Sequence, residues 1–171
     1  MPRASETRSM GMPAGELWEL VRDPHHLPRW WPRVERVEGV QGAFFTEVLR
    51  STTGKVLRAD FEVTEVDDAQ MRIVWSQQIA GTPFAHALSA SLTEIHVKPR
   101  LGAGAGAATE ITLALEHRPK GWFRQAPVAR QQGPASQILT GWTGRLGSPL
   151  ISRAATKTVK EALDGLQRIS T

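Results

Sequence analysis

The sequence predicts an α+β fold in which a curved antiparallel sheet of six to seven strands wraps one long C-terminal helix, and three patterns carry that expectation. Apolar residues alternate with polar ones at period two from Val34 to His117, the mark of strands with one buried face. They recur at helical spacing in a continuous stripe from Leu150 to Ile169. Two short segments bracketed by prolines precede the first pattern and have room for only a few turns. A single antiparallel sheet buries one face, so the long helix has to cover it. A strongly twisted sheet curls, and can grip a helix while leaving a cavity beneath it.

Taken in order, Ala4 to Ser9 is polar and becomes a strand only if sheet partners impose it. Pro13 to Val21 carries Leu17, Trp18, Leu20 and Val21, opened by Pro13 and stopped by Asp23-Pro24, and reads as a short helix. The run from Pro24 to Pro32, with Leu27, Trp30 and Trp31, holds a second. Of the two adjacent tryptophans, one is expected inside and the other at an opening, because so short a helix cannot bury both. Strands follow over Val34 to Val40 and Phe44 to Arg50, with turns at Gly39, Gly42 and Thr53-Gly54. Leu57, Ala59, Phe61 and Val63 form the next inward set. After the Asp67-Asp68 turn come Met71, Ile73, Trp75, Gln77 and Ile79. After Gly81-Thr82-Pro83 the inward set is Phe84, His86, Leu88, Ala90 and Leu92, and a bulge is expected near Thr93 because Ile95 and Val97 fall out of phase. Thr109, Ile111, Leu113, Leu115 and His117 complete the meander. Ile138, Leu139, Trp142 and Leu146 have helical spacing but are interrupted by Gly141, Gly144 and Gly147, which weakens that stretch. Ser148-Pro149 then caps a helix that runs to Ile169.

The 171 residues, 40% of them hydrophobic, suit one domain spanning 1–171. No apolar run approaches the length of a membrane helix, and the polar first ten residues lack the apolar stretch of a secretory signal. There is no cysteine, so disulfides, thiolate catalysis and Cys-based metal sites are excluded and the cytoplasm is the expected compartment. Tyr and Asn are also missing, which leaves His, Gln, Thr and Arg as the expected polar handles of any cavity. Charge is uneven. Residues 1–117 hold 12 bases and 15 acids, whereas 118–171 hold 9 bases and 2 acids. The basic third suits either a solvated helix face or an acidic partner.

The residues Pro13-Ala14-Gly15-Glu16-Leu17-Trp18, Asp23-Pro24, Leu27-Pro28-Arg29-Trp30-Trp31-Pro32, Gly54-Lys55, Gly81-Thr82-Pro83-Phe84, Thr109-Glu110-Ile111 and Glu161-Ala162-Leu163 resemble, in order and spacing, the polyketide cyclase/dehydrase branch of the START and Bet v 1-like (SRPBCC) superfamily. The resemblance covers nearly the whole chain. It implies a helix-grip fold and binding of a hydrophobic small molecule of polyketide, lipid or isoprenoid type, with catalysis in some members only. The stretch from Trp122 to Gly147 departs from the family pattern by its length. If the ligand is tethered, the resemblance implies an acyl carrier protein as the acidic partner, with Arg124, Arg130 and Arg145 at the opening.

On this fold the expected ligand-binding set is Trp31, Phe61, Trp75, Gln77, Phe84, His86, Leu88, Leu113, Leu115, His117, Trp142 and Leu150. Gln77, His86 and His117 stand out because a buried polar group without a partner costs about 1 to 3 kcal/mol. Each histidine is either a satisfied structural residue, one at an exposed strand end, or a group that orients a ligand carbonyl or assists proton transfer; no catalytic residue is assigned, His86 and His117 being the candidates. Three readings follow: a binding module, a cyclase or dehydratase with His-assisted proton transfer, and an interaction protein. His25-His26 point about 100° apart on a helix and have no third ligand at suitable spacing, so no metal is expected. The Gly102 to Ala107 run matches a dinucleotide fingerprint in letters only, since a strand rather than a helix follows it, and no cofactor is expected. No Ser-centred elbow is present. The acids, Asp60, Glu62, Glu110 and Glu116 among them, read as an outward, solvated sheet face. Aromatics are not interleaved with bases, so nucleic acid is not an expected partner.

Overall fold

Seven antiparallel strands are laid side by side in the order β1-β7-β6-β5-β4-β3-β2, in a computed structural model that describes residues 3–100, 109–120 and 147–170. The strands are β1 (Arg3–Met10), β2 (Val34–Gln41), β3 (Phe44–Arg50), β4 (Val56–Asp67), β5 (Arg72–Gln78), β6 (Leu88–Pro99) and β7 (Thr109–Pro119). Helices α1 (Ala14–Arg22) and α2 (Leu27–Trp30) follow β1, and α3 (Gly147–Ile169) closes the chain. Everything from β2 to β7 is a simple meander. β1 becomes a strand because β7 gives it a partner along its whole length, from Arg3↔Glu116 to Met10↔Thr109.

The sheet is curved and its concave face holds α3, which is the helix-grip arrangement. Ala155, Val159, Ala162, Leu163 and Leu166 point into the sheet and are fully buried. The stripe expected from Leu150 therefore starts one turn late: Leu150 is 63% exposed and Ala154 is also exposed. At the other end α2 sits so close to α3 that a Cβ at Gly165 would overlap the Trp30 carbonyl. A glycine is needed there for the helices to touch. Helix α1 is tied to the β4–β5 turn by Asp68, which accepts from Trp18 Nε1 at 2.9 Å and from Arg22 at 2.8 Å. Both bonds hold the Asp68 carboxyl below the usual carboxylate range. Thr109 Oγ1 donates to the Met12 carbonyl at 2.6 Å and fixes the start of β7 beneath the β1–α1 link.

One part of the expected pattern is overturned. Phe84 and His86 do not begin a strand, because Pro83–His86 forms a turn of 3-10 helix. The β6–β7 register shifts between Leu88 and Ala90 rather than near Thr93. Beyond that shift the inward set of β6 is Ser91, Thr93, Ile95 and Val97, at 5%, 2%, 0% and 1% exposure, while Leu92 faces out at 37%. The physical reason is that the inward positions nearest the turn are small and polar. Alternation therefore pointed to the wrong face, and a slip of one residue inverts a whole strand.

Candidate functional site

The concave face changes character along its strands. On β6 and β7 the paired rows run from Val97↔Ile111 and Ile95↔Leu113 to Thr93↔Leu115 and Ser91↔His117. β5 repeats the sequence with Ile73, Trp75 and then Gln77, and β3 with Phe45 and then Glu47. At the apolar end the space is filled. Trp75 packs edge-on against Phe45 and Trp31 at centroid distances of 6.2 and 6.0 Å, and Phe45 stacks on Phe61 at 5.2 Å. At the polar end the sheet and α3 diverge around a cavity of about 300 Å³, within the range of small-molecule sites.

The cavity floor is Glu47, Leu49, Leu57, Ala59, Phe61, Gln77, Ser91, Thr93, Leu115 and His117, and Phe84 reaches it from the 3-10 turn. Thr158 and Glu161 of α3 form the roof, and Trp31, Pro32 and Arg33 stand at its side. Of the residues expected from the sequence, Trp31, Phe61, Gln77, Phe84, Leu115 and His117 are brought together here. Trp30 is buried and Trp31 is half-buried at the opening, the division expected of that pair. Trp75 lies one layer behind Trp31, and Leu113, with no exposure, belongs to the filled end. His86 is exposed on its turn, Leu88 is half-buried on β6 outside the cavity, and Leu150 is exposed at the start of α3. These four residues and Trp75 do not line it. Trp142 lies outside the described residues, as do Arg124, Arg130 and Arg145.

Glu47 corrects the reading of the acids as an outward face. Its side chain is 2% exposed, its Oε1 has no hydrogen-bond partner, and burial raises its pKa from 4.5 to about 8. An isolated carboxylate in such a place is costly, so the group keeps its proton. The sequence signal was ambiguous. Along β3 the sets Phe45, Glu47, Leu49 and Phe44, Thr46, Val48 are about equally apolar, and only the β4 register, with Phe45↔Phe61 and Glu47↔Ala59, decides between them. Asp60, Glu62, Glu110 and Glu116 do lie on the other face; Asp60, for example, accepts from Thr46 at 2.6 Å.

His117 is the second orphan. Its Nδ1 is buried without a partner, and burial lowers its pKa, which keeps the ring neutral. The charged groups at the rim are mostly engaged. Arg50 pairs with Glu35 and donates to the Gly54 carbonyl at 3.1 Å, and Glu161 lies 3.7 Å from Lys157. Arg33, exposed at the mouth, has a positive φ of 66°, an uncommon conformation for a side chain with Cβ. Away from the cavity, His25 Nδ1 lies 2.9 Å from Asp23 Oδ1 and His26 Nε2 3.9 Å from Oδ2, so the two rings share a carboxylate. No helix among the described residues is long and apolar enough to cross a membrane.

A curved sheet gripping a C-terminal helix, with a cavity between them, defines a helix-grip fold. The chain belongs to the family described as polyketide cyclase/dehydrase and lipid transport, whose model matches residues 1–170. Membership indicates ligand binding or cyclase activity. No curated protein matches the chain in sequence. Among solved structures, the di-domain ARO/CYC BexL is 20% identical with a TM-score of 0.71, over 98% of this chain and 46% of its own, so this chain spans about half of it. The aromatase/cyclase Zhui from a Streptomyces species is 16% identical with a TM-score of 0.67, over 98% of this chain and 92% of its own. A START superfamily protein from Mycobacterium smegmatis is 13% identical with a TM-score of 0.66, over 98% and 96%. At these identities the structures show a shared fold. None of these comparisons supports an acidic protein partner.

Proposed function

We propose that the protein binds a hydrophobic small molecule, of polyketide, lipid or isoprenoid type, in the cavity between the polar end of the sheet and α3. The observation that carries this reading is the cavity itself: an apolar surface at Leu49, Leu57, Phe61, Phe84 and Leu115 meets inward polar groups at Glu47, Gln77, Ser91, Thr93 and His117, so an apolar ligand would find both contact area and groups to orient it. Mass spectrometry of an organic extract of the folded protein tests it. A bound apolar molecule should be recovered from the wild type and be depleted in Leu115→Trp, whose larger ring fills the cavity. An extract unchanged by the substitution would contradict the assignment to this cavity.

A second reading, a cyclase or dehydratase, is favoured by one feature. A neutral imidazole with an unpartnered Nδ1 on the cavity wall has the state required of a proton acceptor. His117 would then take a proton from a carbon next to a ligand carbonyl. Turnover of a model poly-β-ketone, lost in His117→Phe while binding persists, would support this reading; turnover that survives the substitution would exclude His117.

A further inference from the structure

The cavity contains a group that the binding reading does not use. Glu47 is a carboxyl with no ion pair among the described residues, 2% exposed, on the inner face of β3; its Oε1 is unpartnered, and the residue is among those that line the cavity. A purely apolar ligand would leave that oxygen orphaned and would gain nothing from a glutamate in place of a leucine. A buried polar group without a partner costs free energy that a bound partner returns.

We propose that Glu47 is the specificity-determining group of the cavity, an O–H donor that selects apolar ligands carrying a hydrogen-bond-accepting oxygen, such as a ketone, over hydrocarbons of the same shape. This inference rests on the binding reading and deepens it. The surroundings support a donor rather than an anion. Across the strands Glu47 faces Val37 of β2 and Ala59 of β4, neither of which carries charge. Of the ionisable groups that share the cavity, Arg50 is taken by Glu35, Glu161 sits beside Lys157, His117 is neutral, and Arg33 is exposed at the mouth. Among the described residues no cation is paired with Glu47, so the proton stays and the group can donate it in a hydrogen bond. Glu47 on β3 and His117 on β7 stand at opposite sides of the cavity floor, with Gln77, Ser91 and Thr93 between them. A ligand oxygen bound by Glu47 would lie at the β3 side.

The test compares two probes of nearly equal shape, acetylnaphthalene and isopropenylnaphthalene, which differ in C=O against C=CH2. Affinities are measured by quenching of tryptophan fluorescence in the wild type, Glu47→Gln and Glu47→Leu, each first confirmed as folded by its thermal transition. The wild type should prefer the ketone roughly five- to tenfold, the size of one buried neutral hydrogen bond. That preference should fade between about pH 6 and about pH 9 as the carboxyl ionises. In Glu47→Gln, whose amide still donates, it should persist and become independent of pH. In Glu47→Leu it should vanish. Equal affinity for both probes in the wild type, or a preference that survives in Glu47→Leu, would overturn the role of Glu47 while the measured binding leaves the cavity reading standing. Failure of either probe to bind any of the three proteins would overturn both.

Discussion

Two halves of one concave surface differ in what lies against them. In the half under α1, α2 and the C-terminal turns of α3, the inward residues are Ile73, Trp75, Ile95, Val97, Ile111 and Leu113, all at 2% exposure or less. In the other half the same strands present Gln77, Ser91, Thr93 and His117, joined by Glu47 from β3, and a cavity takes the place of side chains. Strand geometry is common to both halves. What distinguishes a core from a pocket is how closely the covering elements pack: α1, α2 and the apolar stripe of α3 fill one half, whereas over the other α3 presents Thr158 and Glu161 across a gap.

The sharpest way to break this comparison is to truncate leucines two residues apart on β7. Leu113→Ala, in the filled half, should cost about 2 to 5 kcal/mol, because a new void opens among close-packed side chains. Leu115→Ala should cost markedly less, since that side chain already borders empty space and gives up fewer contacts. Equal losses in urea unfolding would mean that the two halves are equally packed.

Glu47 gives the next largest effect, and its sign is specific. Its carboxyl keeps a proton up to about pH 8 in the fold, whereas the unfolded chain loses it near 4.5. The native state therefore binds the extra proton, and stability falls as pH rises through that window, by about 1.4 kcal/mol per unit. Glu47→Gln should remove the slope and leave the protein more stable than the wild type at the alkaline end by roughly 3 kcal/mol or more. Parallel stability curves for the two proteins from about pH 5 to about pH 8 would show that the carboxyl is solvated after all.

His117 works in the opposite direction. Burial keeps its ring neutral, so the unfolded chain takes up a proton first as pH falls below its ordinary value of 6.5, and stability is lost on the acid side. His117→Phe should remove that loss and be neutral or stabilising by about 1 kcal/mol at neutral pH, because an orphaned buried nitrogen goes with it. A substantial destabilisation at neutral pH would mean that Nδ1 has a partner, such as an ordered water. The smallest effect is expected at His86. It is exposed on the 3-10 turn, so His86→Ala should leave ligand affinity unchanged within about twofold, and a larger loss would place that turn in the site.

The same contrast explains what was legible in the sequence. The filled half was easy to read, because Ile73, Trp75, Ile111, Leu113 and the stripe from Ala155 to Leu166 alternate or recur without exception. The cavity half was legible at β5 and β7, where Gln77 and His117 interrupt otherwise apolar sets and their faces could not be mistaken. It was not legible at β6, where Ser91 and Thr93 look outward by their chemistry, or at β3, where Glu47 does. A residue that faces a cavity obeys the chemistry of a ligand rather than that of a core, so hydropathy alternation assigns it to the wrong side. Register along neighbouring strands supplies the missing information: Ser91 pairs with His117, and Glu47 with Ala59.

The claim that one half of the sheet is a ligand site and the other a core is tested most directly by methyl NMR of leucine-labelled protein titrated with acetylnaphthalene. The account predicts shifts at Leu49, Leu57 and Leu115, which line the cavity, with Leu17, Leu113 and Leu166 unmoved in the core. Shifts centred on the core leucines, or confined to methyls outside both sets, would contradict it.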